Sequence, residues 1–124
     1  MEENGKKLNV MLEDLPKTNG IIMDIGEHTV ESFAKSLQRK TIRIRAGPLG
    51  VYERGYDNGI KLTKRIAGNG LIFLGGDTSQ EIIQYKLDRH LFDTGSMILI
   101  SGGAFLHGMA GKNYPSVDLI INQE

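Results

Sequence analysis

Three short apolar runs in this chain stop at glycine turns, and that recurrence restricts the fold more than any other feature. Ile42-Arg43-Ile44 runs into Gly47-Pro48-Leu49-Gly50, Leu71-Ile72-Phe73-Leu74 into Gly75-Gly76-Asp77-Thr78, and Met97-Ile98-Leu99-Ile100 into Ser101-Gly102-Gly103-Ala104. Ile21-Ile22-Met23 is an earlier run and Val117-Asp118-Leu119-Ile120-Ile121 a later one. The runs over 71–74 and 97–100 are continuous rather than alternating, as strands covered on both faces are in parallel sheets. Between the runs the period changes to that of a helix. Val30, Phe33, Ala34 and Leu37 make one stripe on a helix starting near Thr29, and Ile60, Thr63, Ile66 and Ala67 make a weaker one over 58–67. A third stretch over 78–87 presents Ile82, Ile83 and Leu87. A short helix over 104–110 contains Gly108, which costs roughly 1 kcal/mol relative to alanine. Strand and helix in alternation predict an α/β fold: a three-layer open parallel sheet of four to five strands with flanking helices and right-handed crossovers.

The 124 residues suit one domain spanning 1–124. Fifteen Lys and Arg balance 15 Asp and Glu, so no broad positive field exists to attract nucleic acid or an anionic membrane. With no cysteine there are no disulfides and no thiolate chemistry. The opening Met1-Glu2-Glu3-Asn4-Gly5-Lys6-Lys7 carries both signs of charge and precedes no long apolar stretch. That pattern implies neither leader nor membrane span, a cytoplasmic setting, and disorder over residues 1–8. His28, His90 and His107 are far apart, without carboxylates at ligand spacing, which argues against zinc. Ser101 lacks the Gly-x-Ser-x-Gly frame of a nucleophile elbow.

In an open parallel sheet the three glycine turns fall along the C-terminal edge, where such folds take their ligands. Glycine lets the backbone approach an anion, and the free N–H groups and dipole of the following helix favour phosphate. Simpler readings stand beside this one. Thr78-Ser79-Gln80-Glu81 has the form of a capping box, Asp77 is a residue type suited to an N-cap, and Glu53 suits a solvated surface. Arg43 and Arg45 share one strand face, next to Gln38-Arg39-Lys40. Charge there suggests an edge strand or a partner surface.

Asp24-Ile25-Gly26 with Thr29, Gly47-Pro48-Leu49-Gly50-Val51-Tyr52-Glu53, Gly75-Gly76-Asp77-Thr78, and Gly102-Gly103-Ala104 with Leu106, Gly111-Lys112 and Pro115 stand in this order. Together they resemble consecutive C-terminal signatures of the phosphoglycerate kinase family, over about residues 15–119. The resemblance implies the C-terminal half of that family's nucleotide domain. It implies that Glu53 contacts the ribose hydroxyls, that Leu49 and Val51 beside Gly47 and Pro48 cover the adenine, and that Asp77 helps hold the magnesium of ADP or ATP. It also implies that Gly75, Gly76, Thr78, Gly102 and Gly103 lie against the phosphates.

Departures from the family's pattern carry equal weight. Arg45-Ala46 stands where a Trp-Asn pair is usual, Leu74 takes the first position of a triple glycine, and Ser101 replaces the first glycine of the last turn. No counterpart of the arginine-rich substrate domain or of the lysine-bearing Gly-Gly-Ala-Lys segment is found in these residues. Phosphoryl transfer depends on positioning and on cations at the transferring group. The expectation is therefore a binder of nucleotide or a phosphate-type anion, not competent alone to phosphorylate 3-phosphoglycerate, and working as a homodimer or with a partner chain. The alternative is a structural or protein-interaction domain in which the glycine turns serve folding only.

Overall fold

A computed structural model describes residues 1–115. In chain order the elements are β1 (Glu2–Glu3), β2 (Lys6–Lys7), a 3-10 turn (Leu12–Lys17), α1 (Glu27–Leu37), β3 (Arg43–Ala46), a second 3-10 turn (Tyr52–Arg54), α2 (Asn58–Ile66), β4 (Leu71–Leu74), α3 (Gly76–Gln84), α4 (Asp88–Asp93), β5 (Met97–Leu99) and α5 (Gly102–Met109). The main sheet has the order β3-β4-β5 and is parallel throughout, with Arg43 opposite Leu71 and Ile72 opposite Met97. The α/β class and parallel sheet are as the sequence predicts.

Three of the four to five expected strands form this sheet among the described residues. The run over 117–121 lies outside them. Ile21 is not in the sheet at all: it makes an isolated antiparallel bridge with Glu2. Of that run only Met23 is buried, while Ile21 and Ile22 face outward, so an apolar triplet is not by itself a core strand.

Alternation divides the sheet faces. Leu71 and Phe73 point into a cluster built from Val30, Ala34, Ile60, Leu62, Ile66, Ile82, Leu87 and Leu91, so α1 to α4 supply one layer. Leu74 points the other way, against Gly102 at the start of α5. The predicted stripe of α2 is matched by burial of Ile60, Thr63 and Ile66. Two apolar assignments differ: Phe33 and Ile83 are exposed, Ile83 at 68%. α3 ends at Gln84, earlier than the predicted Leu87, because Lys86 takes a left-handed φ of 53° and the chain turns into α4. Gly108 is tolerated inside α5 because the Tyr114 ring lies against it, where a Cβ would come within 3.1 Å of Tyr114 Oη.

Residues 1–8 are expected to be disordered, yet they contain a hairpin. Asn4 and Gly5 both have positive φ, 49° and 76°, the turn geometry that an Asn-Gly pair favours. Glu2 faces Lys7 and Glu3 faces Lys6, two opposite-charge cross-strand pairs. Glu2 anchors the hairpin to the body, accepting hydrogen bonds from Tyr56 Oη at 2.5 Å and Arg54 Nη2 at 2.9 Å. The hydrogen bond from the Tyr56 hydroxyl, together with Arg54, holds the Glu2 carboxyl below its ordinary value of 4.5. Because the folded value is the lower one, this anchoring is complete above about pH 4.5 and is lost as pH falls through the lowered value. An NMR titration is expected to show the Glu2 and Ile21 amides shifting in that acid range while core amides such as Phe73 stay fixed. Hairpin amides unchanged through the same range would refute the anchor.

Candidate functional site

The three glycine turns come together along one edge because β3, β4 and β5 are parallel neighbours. Gly47 N–H donates to Leu74 O at 3.5 Å, and Gly75 N–H donates to Leu99 O at 3.0 Å. Each turn is thereby tied to the next strand. Gly75 has φ 101°, a conformation disfavoured for residues with a Cβ. It serves as the N-cap of α3, and Ser101 as the N-cap of α5. A Cβ on Gly102 would come within 2.8 Å of Gly75 N and 3.1 Å of Leu74 Cβ. Gly102 therefore permits the two helices to begin in contact.

The first intrahelical bonds of these helices are Ser79 N–H to Gly75 O and Phe105 N–H to Ser101 O. Ahead of them, the first-turn N–H groups of Gly76, Asp77 and Thr78, and of Gly102, Gly103 and Ala104, have no intrahelical acceptor. Two helix N-termini thus present unpaired donors side by side, with their dipoles adding positive potential. Gly76 and Gly103 are both exposed, with nothing within 4 Å of where a Cβ would stand.

The remaining predicted site residues fall around this edge. Pro48 and Glu53 are both exposed, Glu53 in the 3-10 turn that follows Val51. That turn is held at its start by two bonds: Val51 N–H donates to Met23 O at 2.9 Å, and Tyr85 Oη donates to Tyr52 O at 3.1 Å. Burial first, then the neighbouring Glu53 carboxylate, pushes the Tyr52 hydroxyl up. Asp77 is exposed in the first turn of α3. Leu49 is half-buried and packs on the core. Thr78 is buried, its hydroxyl donating back to Leu74 O at 2.9 Å.

The capping-box reading is corrected. α3 begins at Gly76, so Asp77 is not the N-cap, and neither Thr78 nor Glu81 caps the helix. Glu81 is instead 1% exposed and bonded to Arg45, itself 5% exposed. Arg45 therefore does not charge the sheet edge. Its Nη2 donates to Glu81 Oε2 and its Nη1 to Thr63 Oγ1, which in turn donates to Gly59 O at 2.9 Å. Burial pushes the Glu81 carboxyl up and the Arg45 guanidinium down, and their mutual attraction opposes both shifts.

Asp24 supports the first turn from below. Its Oδ1 accepts Ile25 N–H and its Oδ2 accepts Asn58 N–H, both at 2.8 Å. Burial pushes the Asp24 carboxyl up, and these N–H donors oppose the shift. A Cβ on Gly50 would strike Asp24 Cγ at 2.4 Å, so glycine there admits the carboxylate.

Chemically the edge offers amide donors and, in the first turn of α3, the exposed carboxylate of Asp77. Among the described residues no group of three or more His, Asp or Glu side chains is placed to hold a metal ion. Two clefts, of about 560 and 380 Å³, lie elsewhere, the larger beside Leu8, Ile22 and Tyr56 and the smaller beside Glu2 and Arg54. No helix among the described residues is long and apolar enough to cross a membrane.

The family model for phosphoglycerate kinase matches residues 1–112. The phosphoglycerate kinase of Halorubrum lacusprofundi is 27% identical over 121 residues, covering 94% of this chain and 29% of that protein. That of Buchnera aphidicola subsp. Schizaphis graminum is 32% identical over 121 residues, covering 93% and 30%. The solved phosphoglycerate kinase structure from Coxiella burnetii superposes with a TM-score of 0.66 at 29% identity, over 80% of this chain and 26% of that one. The Pyrococcus horikoshii structure gives 0.64 at 31% identity, over 80% and 24%. The chain spans less than a third of the length of the curated relatives it matches.

Proposed function

Because the chain belongs to the phosphoglycerate kinase family, we propose that it binds a nucleotide, or a phosphate-type anion, at the glycine turns along the C-terminal edge of β3, β4 and β5. The observation that carries this reading is the contact of Gly102 with Gly75, which brings the open first turns of α3 and α5 together. In this reading phosphate oxygens accept from the amides of Gly76–Thr78 and Gly102–Gly103, and lie against Gly75, whose own N–H is taken by Leu99 O. Asp77 meets the nucleotide's magnesium, Glu53 takes the ribose hydroxyls, and Gly47, Pro48, Leu49 and Val51 line the base. The amides stabilise negative charge without a lysine, which suits binding more than transfer. The chain by itself does not phosphorylate 3-phosphoglycerate.

The setting is cytoplasmic, and a second copy or another chain joins at β3. Supporting that partner is the pairing of β3 with β4 alone among the described residues, which leaves Ile44 on an open edge. Light scattering at micromolar concentration is expected to give twice the 13.7 kDa chain mass. A monomeric mass would refute the homodimer.

Calorimetric titration tests the ligand. Mg-ADP or Mg-ATP at millimolar concentration is expected to bind, and Asp77→Ala to weaken the magnesium-dependent part by at least about tenfold with the fold intact. An absence of heat with nucleotide and inorganic phosphate alike leaves the structural-domain reading. Equal affinity in the Asp77→Ala variant removes the metal role of Asp77.

A further inference from the structure

Arg45 lies on β3 two residues before Gly47, and Glu81 lies one helical turn beyond Asp77 on α3. We infer that the buried Arg45–Glu81 pair, with Thr63, is a strut that holds the Gly47–Gly50 turn in fixed register with the first turn of α3. As positioning residues, these side chains set the separation of the two sides of the candidate site. The consequence for ligand affinity rests on the nucleotide reading above; the mechanical claim does not.

Several contacts converge on this role. The direct bond between the two turns is the long one from Gly47 N–H to Leu74 O, at 3.5 Å. Behind it, the Arg45 guanidinium reaches from β3 to Thr63 on α2 and Glu81 on α3, and stands 5.8 Å from the Phe73 ring centroid. A Cβ on Gly59 would come within 3.0 Å of Leu49 Cβ, 3.4 Å of Arg45 Nη2 and 3.5 Å of Glu81 Oε1. Leu49 belongs to the glycine turn itself, so turn and ion pair share one packing contact. At the other end of that turn a Cβ on Gly50 would strike the Asp24 carboxylate, whose charge pushes the Arg45 and Glu81 pKa values up.

A buried ion pair is a weak source of stability compared with apolar side chains of similar volume, and here Arg45 Nε is left without a partner among the described residues. What the pair supplies is direction, because a guanidinium bonded to two helices admits one placement of both.

The test replaces the pair with Arg45→Met and Glu81→Leu together in the full chain. The double variant is expected to unfold in urea at or above the parent midpoint. The amides of Gly47 and Gly75, bonded to Leu74 and Leu99 carbonyls, are nevertheless expected to exchange with solvent at least about tenfold faster. Mg-ADP affinity is expected to fall by about tenfold or more. Unchanged exchange at both amides overturns the strut whatever the ligand result. A parent chain that binds no Mg-ADP overturns the nucleotide reading only, and exchange then decides the strut. If the double variant does not fold, Glu81→Gln, which keeps the shape and removes the charge, is measured at the same two amides: faster exchange there supports the strut, and unchanged exchange overturns it.

Discussion

Replacing Glu81 with alanine is expected to destabilise the chain by about 3–5 kcal/mol, because it leaves the Arg45 guanidinium buried without its counter-charge. Arg45 is 5% exposed, and its remaining side-chain partner is the Thr63 hydroxyl. Water cannot reach the stranded charge unless α3 lifts from the sheet. The Arg45→Met, Glu81→Leu variant, which strands nothing, is expected to be at least as stable as the parent. Urea unfolding followed by circular dichroism separates the two. A Glu81→Ala midpoint equal to that of the parent would mean that the pair does not exist in solution.

Gly70→Ala is expected to be of similar size, about 3–5 kcal/mol, for a backbone reason. Gly70 has φ 83°, and a Cβ there would lie 1.9 Å from Thr41 O, a main-chain atom that no rotamer change can move. Gly70 O also accepts Arg43 N–H at 2.8 Å, the bond that opens the β3–β4 ladder. Relieving the clash therefore disturbs the register of the sheet. Gly76→Ala is the control: nothing lies within 4 Å of a Cβ at its first-turn position, and alanine there is expected to be neutral or stabilising by up to about 1 kcal/mol. Equal thermal midpoints for the two variants would refute the argument.

The parallel sheet is legible in the sequence because strands covered on both faces lose alternation, as at 71–74, and because helix periods fill the gaps. The convergence of the glycine turns follows from that topology. Ile21-Ile22-Met23 misleads because a three-residue run does not say whether a second apolar face exists to receive it. The hairpin is harder to read although Asn4-Gly5 is a strong turn signal; charge at Glu2, Glu3, Lys6 and Lys7 suggests disorder until the two pairs are set opposite each other. Arg45 and Glu81 each look like surface or helix-end residues, since burial of a charge depends on a partner 36 residues away. A trace of it is present: Thr78, Glu81 and Ile82 share one face of α3, and a carboxylate inside an apolar stripe requires a cation to meet it.

The strands of the main sheet stand in space in the order in which they occur in the chain. A polypeptide emerging from the ribosome can therefore close β3 onto β4 through α2 before β5 exists, and β5 later adds to a rim already formed. Each step joins neighbours across a single crossover, so loop closure is modest at every stage and none of the three described strands has to wedge between two others. Assembly of this sheet is expected to proceed vectorially, by accretion from the N-terminal side.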